Sequence, residues 1–480
     1  MWIRKCFLDE DSDIQSPIPD RICSNEEFIP PAQTAKEAEV VERLRVMADR
    51  NARRLGVSRR QFLRSSCGMA AAMLCFNEVF GKTYEVDPIE ALEPAAYEEK
   101  WPKGDFIFDN QTHHIDVESG WFESTETGRQ AAAFLRRFRP QKETTLATLE
   151  QLNQGHYVKE LFFDSDTVMA IISGVPTRMW KENILPPDKM VETRNMINSW
   201  AKSERMLSHG LLRPNMGRSE YEEMDRQAKA LKINSWKMYP GSDLGEGSGP
   251  WWLDDEKIAF PFWERSLKMG IRNVCIHKGL PLGLFNEDHC HPKDVEKAAK
   301  AFPRMNFIIY HSGWHPGARL TEAQRANPQY LPWISELIDI VKRNNLKNVY
   351  FELGSTWNGL SGQRPEQAMH LFGQLLNLPG GEDQIIWGTD SIWGGSPQSQ
   401  IERFRRFQIS DEIAAKHGYK KLTPEIKAKV FGLNAARLYN INVKAKRNAI
   451  KTDKIAEQRQ EYLENAQPSN TQYGWVWHGR

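Results

Sequence analysis

Residues 106–114 read Phe106-Ile107-Phe108-Asp109-Asn110-Gln111-Thr112-His113-His114, a short apolar run that turns abruptly polar. A run of this length is too short for a helix. Its chemistry-bearing end is what a buried strand shows where its carboxyl terminus opens on a site. Seven further runs share the pattern, at 168–173, 206–213, 233–239, 273–277, 306–311, 349–353 and 384–389. Amphipathic stretches at 190–205, 220–232, 256–270, 292–302, 331–345 and 364–377 lie between them. Strands alternating with helices pair in parallel, and eight of them predict an α/β fold, a closed (β/α)8 barrel of TIM type. An open doubly wound sheet is the alternative, but no Gly-x-Gly-x-x-Gly opens the first helix.

The flanks of this repeat are different in kind. Residues 1–57 form an N-terminal arm whose first 35 residues are Pro-containing and aperiodic, so part of it is expected to be disordered. Residues 58–82 open with Ser58-Arg59-Arg60-Gln61-Phe62-Leu63-Arg64 and continue into the apolar run Cys67–Phe76. This segment resembles a twin-arginine export signal, which implies an exported or periplasmic protein and the twin-arginine machinery as a partner. A basic amphipathic helix over 36–66 in a cytoplasmic protein is the alternative. Residues 83–104 read as a connector, 105–441 as the barrel, and 442–480 as a charged helical or loose tail ending in Trp475-Val476-Trp477.

Composition narrows the partners. Sixty-four Lys and Arg against sixty-three Asp and Glu leave a formal charge of +1, no electrostatic footprint for nucleic acid. The ten residues of Cys67–Phe76 are half the span a bilayer needs, about twenty, so no membrane-spanning segment is expected. Cys275 and Cys290 alone fall in the barrel region, too few for a disulfide framework.

Active sites of such barrels lie at the carboxyl ends of the strands. The residues there are Asp109 to His114, Arg213, Lys237 with Tyr239, His277, His311, Glu352 and Asp390. Side chains alternate along a strand, so Asp109, Gln111 and His113 share the inward face, and His114 turns towards the helices as a structural residue. Cys275 shares the face of His277 and reads as barrel filling. His289-Cys290-His291 precedes Pro292 and reads as a loop and helix start before a metal motif. Gly245–Gly249 with Trp251 and Trp252 reads as an active-site flap or a plain surface loop.

The ordered set Asp109-x-Gln111-x-His113, His277, His311 and Asp390 resembles the amidohydrolase superfamily. It is nearest the amidohydrolase-related branch that also holds nonoxidative decarboxylases. Tyr310-His311-Ser312-Gly313-Trp314, Trp387-Gly388-Thr389-Asp390-Ser391 and the closing stretch Lys429–Leu438 support the same likeness over about 105–441. The resemblance implies a metal site, for which strand one normally supplies His-x-His. Here it offers Gln111-x-His113, and a neutral amide oxygen is a harder, weaker ligand than imidazole. His113, His277 and Asp390, with Gln111 as a weak fourth, still give a catalytic set with an open position for one divalent ion, zinc with manganese or iron as alternatives. The other reading is a site without metal, whose residues bind substrate directly.

The resemblance assigns Asp390 to take a proton from a metal-activated water and His311 to polarise the carbonyl. Arg213, Lys237, Tyr239, Trp314 and His315 fall to a small-molecule substrate. The expected function is hydrolysis of an ester, lactone or amide. The alternatives are nonoxidative decarboxylation of an aromatic or unsaturated carboxylic acid, with His311 as proton donor, and an inactive barrel that only binds. Barrels of this family commonly dimerise, so a homodimer is a possible assembly.

Overall fold

The computed structural model describes residues 2–21, 23, 32–101, 103–117, 119–120, 126, 129, 152–174, 184–242, 249–281, 285–465 and 475–477. Eight strands form one parallel sheet in sequential order. They are β1 (Phe108–Thr112), β2 (Met169–Ile172), β3 (Met206–Leu211), β4 (Ser235–Met238), β5 (Asn273–His277), β6 (Asn306–Tyr310), β7 (Val349–Glu352) and β8 (Ile385–Ile386). Each lies inside the run expected of it, and helices fill the intervals between most of them.

The sheet closes on itself through backbone bonds from Asn110 N–H to the Trp387 carbonyl (3.0 Å) and from Asp390 N–H to the Gln111 carbonyl (2.9 Å). The chain is therefore the expected TIM-type barrel, with no sheet edge left open between β8 and β1. Its interior is filled by Phe108, Met169, Ile171, Leu207, Cys275, Ile308, Tyr310 and Ile386, all buried. Cys275 thus sits among barrel filling, its Sγ 3.9 Å from the Tyr439 hydroxyl.

The described parts of the flanks carry helices of their own. Residues Ala35–Leu55 are helical, opened by a reciprocal Thr34–Glu37 capping box and stopped by Gly56 at φ 70°. Two further helices, Arg59–Leu63 and Ser66–Phe80, contain the twin-arginine-like segment. Over Cys67–Phe76 the second is apolar on every side, the pattern of a helix enclosed by protein, and Ala70, Ala71, Ala72, Met73 and Cys75 are fully buried. At the far end, helices Val443–Lys451 and Lys454–Asn465 pack back on the barrel, and Trp475–Trp477 pairs antiparallel with Trp2–Arg4. No described helix is long and apolar enough to cross a membrane.

Candidate active site

Asp390, His113, Gln111 and His311 meet at the carboxyl ends of β1, β6 and β8. The Asp390 carboxylate accepts three hydrogen bonds. Gln111 Nε2 (2.7 Å) and His113 Nε2 (3.1 Å) reach Oδ1, and the Ser355 hydroxyl (2.6 Å) reaches Oδ2. Burial alone would raise this carboxyl. The His113 hydrogen bond, the neighbouring imidazoles and Ser355 outweigh it and hold Asp390 well below the usual carboxylate range. Asp390 adopts φ 60° and His311 φ 57°, the left-handed region that non-glycine residues rarely take. Two such residues facing one another mark a place where surrounding structure overrides local preference.

That surrounding structure is visible. Glu352 at the end of β7 accepts from His311 N–H (3.0 Å) and Gly354 N–H (2.7 Å), fixing the turn from which His311 projects. Burial pushes the Glu352 carboxyl up to about 8. Asp109 accepts from the Thr389 hydroxyl and from Thr389 N–H (3.1 Å), which pins β1 to the segment carrying Asp390. Burial raises Asp109 to about 7. The Ser355 backbone N–H points to His311 Nδ1 (3.4 Å), which leaves Nε2 as the protonated nitrogen of a neutral imidazole. Burial lowers the pKa of His311 to about 4.

Alternation along β1 works as the periodicity requires. Gln111 and His113 face Asp390, whereas Thr112 turns to the Tyr157 hydroxyl (2.7 Å) and His114 to the Thr193 hydroxyl (2.8 Å). His114 lies among the helices, in the structural position expected of it. His277 is placed differently from the other candidate ligands. Its Nε2 bonds the Leu280 carbonyl at 3.0 Å, its ring stacks on Tyr239 (4.8 Å), and it meets His311 edge to face (4.9 Å). Burial first, then the His311 and Lys237 charges, depress its pKa well below 6.5. Lys237 Nζ lies 3.5 Å from the Tyr310 ring centroid and 4.5 Å from that of Tyr239, a cation held in an aromatic corner beside these histidines.

The remaining candidates sit farther out. Arg213 pairs with Glu220 (3.0 Å), so its charge is already compensated. His315 pairs with Glu287 (3.1 Å) and packs on Trp333, and Trp314 is buried against Gly359. His289 stacks on Trp252 (4.0 Å) and His291 caps Lys293 N–H, so this motif forms a loop and helix start. Residues 243–248, most of the expected flap, lie outside the described residues. Sequence reasoning missed Ser355 and Trp393, whose ring lies 5.5 Å from that of His113. A serine three residues past a strand end has no signature of its own. Only the fold brings it to Asp390.

Among the described residues no three His, Cys, Asp or Glu side chains converge as a metal cage. Gln111 changes the count. Its amide nitrogen is 2.7 Å from Asp390 Oδ1 and 3.5 Å from His113 Nε2, and those two atoms are 3.1 Å apart. Ligand atoms sharing one ion at bonds of about 2.1 Å are spaced by about 3.4 Å, so this triangle fits a divalent ion. It does so with the amide oxygen turned inward, and that oxygen is buried with no hydrogen-bond partner. Gln111, His113 and Asp390 are therefore the side chains that fit a metal.

A family model described as Amidohydrolase matches residues 114–441, well over half of the chain and beginning just past Gln111 and His113. No curated protein matches. Solved structures similar to it include an uncharacterised TIM-barrel protein from Bordetella bronchiseptica, 15% identical, covering 71% of this chain and 99% of that one at a TM-score of 0.45. A 2,6-dihydroxybenzoate decarboxylase from Rhizobium is 16% identical over 70% and 99%, at 0.38. A 4-oxalomesaconate hydratase from Rhodopseudomonas palustris is 14% identical over 75% and 100%, at 0.42. These neighbours differ in reaction and assign none here. With the barrel, the strand-end site and the family match in agreement, the chain belongs to the amidohydrolase family.

Proposed function

We propose that the protein is an enzyme that hydrolyses an ester, lactone or amide bond in a small, carboxylate-bearing substrate. One divalent ion would be held by His113, Asp390 and Gln111. The observation that carries this reading is the buried Asp390 carboxylate, anchored by three donors beside the His311 imidazole. Such an ion supplies Lewis-acid polarisation and acidifies water.

The chain's own residues divide the remaining work. Asp390 is the proton acceptor for the attacking water, and its hydrogen bonds keep an oxygen aimed without rotation. His311 presents Nε2–H to the carbonyl oxygen and stabilises the negative charge that develops there. Lys237, in its corner of Tyr239 and Tyr310, attracts the substrate carboxylate. The side chains of Tyr239 and His277 wall that corner and exclude water. Decarboxylation is the second reading, because a histidine beside a held carboxylate also suits proton delivery to carbon.

A panel of esters, lactones and amides, each also followed for carbon dioxide release, tests the assignment. Hydrolysis lost in Asp390→Asn, without gas release, is the expected result. Carbon dioxide release with no hydrolysis replaces it by the second reading. A folded protein that binds acids yet turns nothing over would return the chain to a binding role. The apolar segment 67–76 lies within the fold, which supports its being a retained structural element, with export through a twin-arginine route the competing proposal.

A further inference from the structure

Gln111 forms one corner of the triangle that would hold the cation. Without an ion, its amide NH2 donates to Asp390 Oδ1 at 2.7 Å and lies 3.5 Å from the Nε2 atoms of both His113 and His311. With His113 Nε2 and the Ser355 hydroxyl, it gives the buried carboxylate three donors. The ion-free carboxylate is thus already satisfied, while Gln111 Oε1 and His113 Nδ1 are left buried without a partner. With an ion present, the same NH2 would oppose it. The two ends of an amide are nearly the same size, so a half-turn brings Oε1 inward and turns the donor away. Room for that turn comes from Gly354. At φ 33°, a Cβ there would lie 2.7 Å from Gln111 Oε1 and 2.7 Å from His311 Nδ1.

We infer that Gln111 is a latch for the cation position, donating to Asp390 when the site is empty and ligating through oxygen when it is filled. The divalent ion is therefore exchangeable and not resident. The inference rests on the reading that this site takes a divalent ion. It adds that loading must displace two internal hydrogen bonds to Asp390, from Gln111 and from His113, and gains from Gln111 only an amide oxygen in return. One imidazole, one carboxylate and one amide oxygen make an oxygen-rich set, which suits manganese better than zinc.

The test reads ion binding and not turnover. Full-length wild type, Gln111→His and Gln111→Glu are stripped with chelator, dialysed, and titrated with Mn2+ by electron paramagnetic resonance. Folding is checked by thermal melts with and without the ion. Wild type should bind one Mn2+ reversibly and lose it on dialysis. Gln111→His should bind at least tenfold more tightly and keep near one equivalent. Gln111→Glu places a second carboxylate against Asp390, so its melt should rise with Mn2+ by more than the wild-type melt does, even if Gln111→His fails to fold. Wild type that keeps one equivalent through dialysis, or binds as tightly as the folded variants, overturns the latch and leaves the ion reading standing. Absence of binding by wild type and both folded variants overturns both.

Discussion

Ser355 touches both side chains on which the proposed chemistry depends, its hydroxyl on Asp390 Oδ2 (2.6 Å) and its backbone N–H facing His311 Nδ1. Only the hydroxyl can be removed by mutation, so Ser355→Ala separates positioning from folding. A hydrogen bond to a charged group contributes about 1.5–3 kcal/mol, and Ser355→Ala should lower kcat by roughly tenfold to a hundredfold, with KM little changed. That bond also favours the ionised carboxylate. Its loss should move the acid limb of the kcat/KM profile to higher pH, which a merely structural serine would not do. Asp390→Asn removes the proton acceptor itself and should cost about a hundredfold or more in kcat. Equal pH profiles for wild type and Ser355→Ala would show that the hydroxyl does not tune Asp390.

Among the elements, the helix Ser66–Phe80 carries the sharpest contrast between motif and structure. Its neighbour Arg59–Leu63 holds the paired arginines, of which Arg59 bonds Asp13 (2.7 Å) and Asp49 (3.0 Å), while Phe62 and Leu63 are buried. Gly68 is pressed against this turn, where a Cβ would sit 2.2 Å from the Phe62 carbonyl oxygen. A segment built in this way should stay with the folded protein, so the intact mass of purified material should include residues 58–82. Leu63→Ala should destabilise by about 2–4 kcal/mol in urea titrations, and Arg60→Ala, at an exposed pair, by less than about 0.5 kcal/mol. An export signal displayed outside the fold would leave Leu63→Ala as neutral as Arg60→Ala. The barrel itself was legible because strand and helix periods are local, and even β8, two residues long, is flanked by the Trp387–Ser391 stretch that marked it. Pairing of Trp2–Arg4 with Trp475–Trp477 was not legible. Nothing in either segment encodes a partner more than 450 residues away. His113 was read from alternation along β1, and His277, His311 and Asp390 from their places at the ends of strand runs, whereas the turn of His277 to the Leu280 carbonyl depends on a loop conformation, with Leu280 at φ 29°, that no periodicity describes.

Taken as a whole, the molecule is stitched at the foot of its flanks by buried charge. Arg405 bonds Asp105 (3.0 Å), Asp166 (2.6 Å) and Glu402 (3.0 Å), Arg406 pairs with Glu90, and the Tyr97 hydroxyl donates to Glu402 (2.8 Å). The Glu90 and Tyr97 bonds fasten the 83–104 connector to the helix Gln398–Arg406. Lys427 is enclosed in the same region, donating to the Arg405 carbonyl (2.5 Å) with its ammonium 4.9 Å from the Trp101 ring centroid. Burial brings its pKa down to about 7, with Glu85 and Asp105 opposing the shift and Arg406 adding to it. The unfolded chain holds this proton up to the ordinary lysine value of 10.5, so between pH 7 and 10.5 the unfolded state binds more protons than the folded one. Linkage then makes the Lys427 contribution rise with pH across that window and remain a penalty below it. Lys427→Met, which keeps the chain length and removes the charge, should be more stable than wild type at pH 6 by about 1–3 kcal/mol, with the difference shrinking towards pH 9.5. Urea titrations of both proteins at the two pH values check this. A gap that is the same at pH 6 and pH 9.5 would mean that Lys427 keeps an ordinary pKa, and that the stitched charges around it compensate its burial in full.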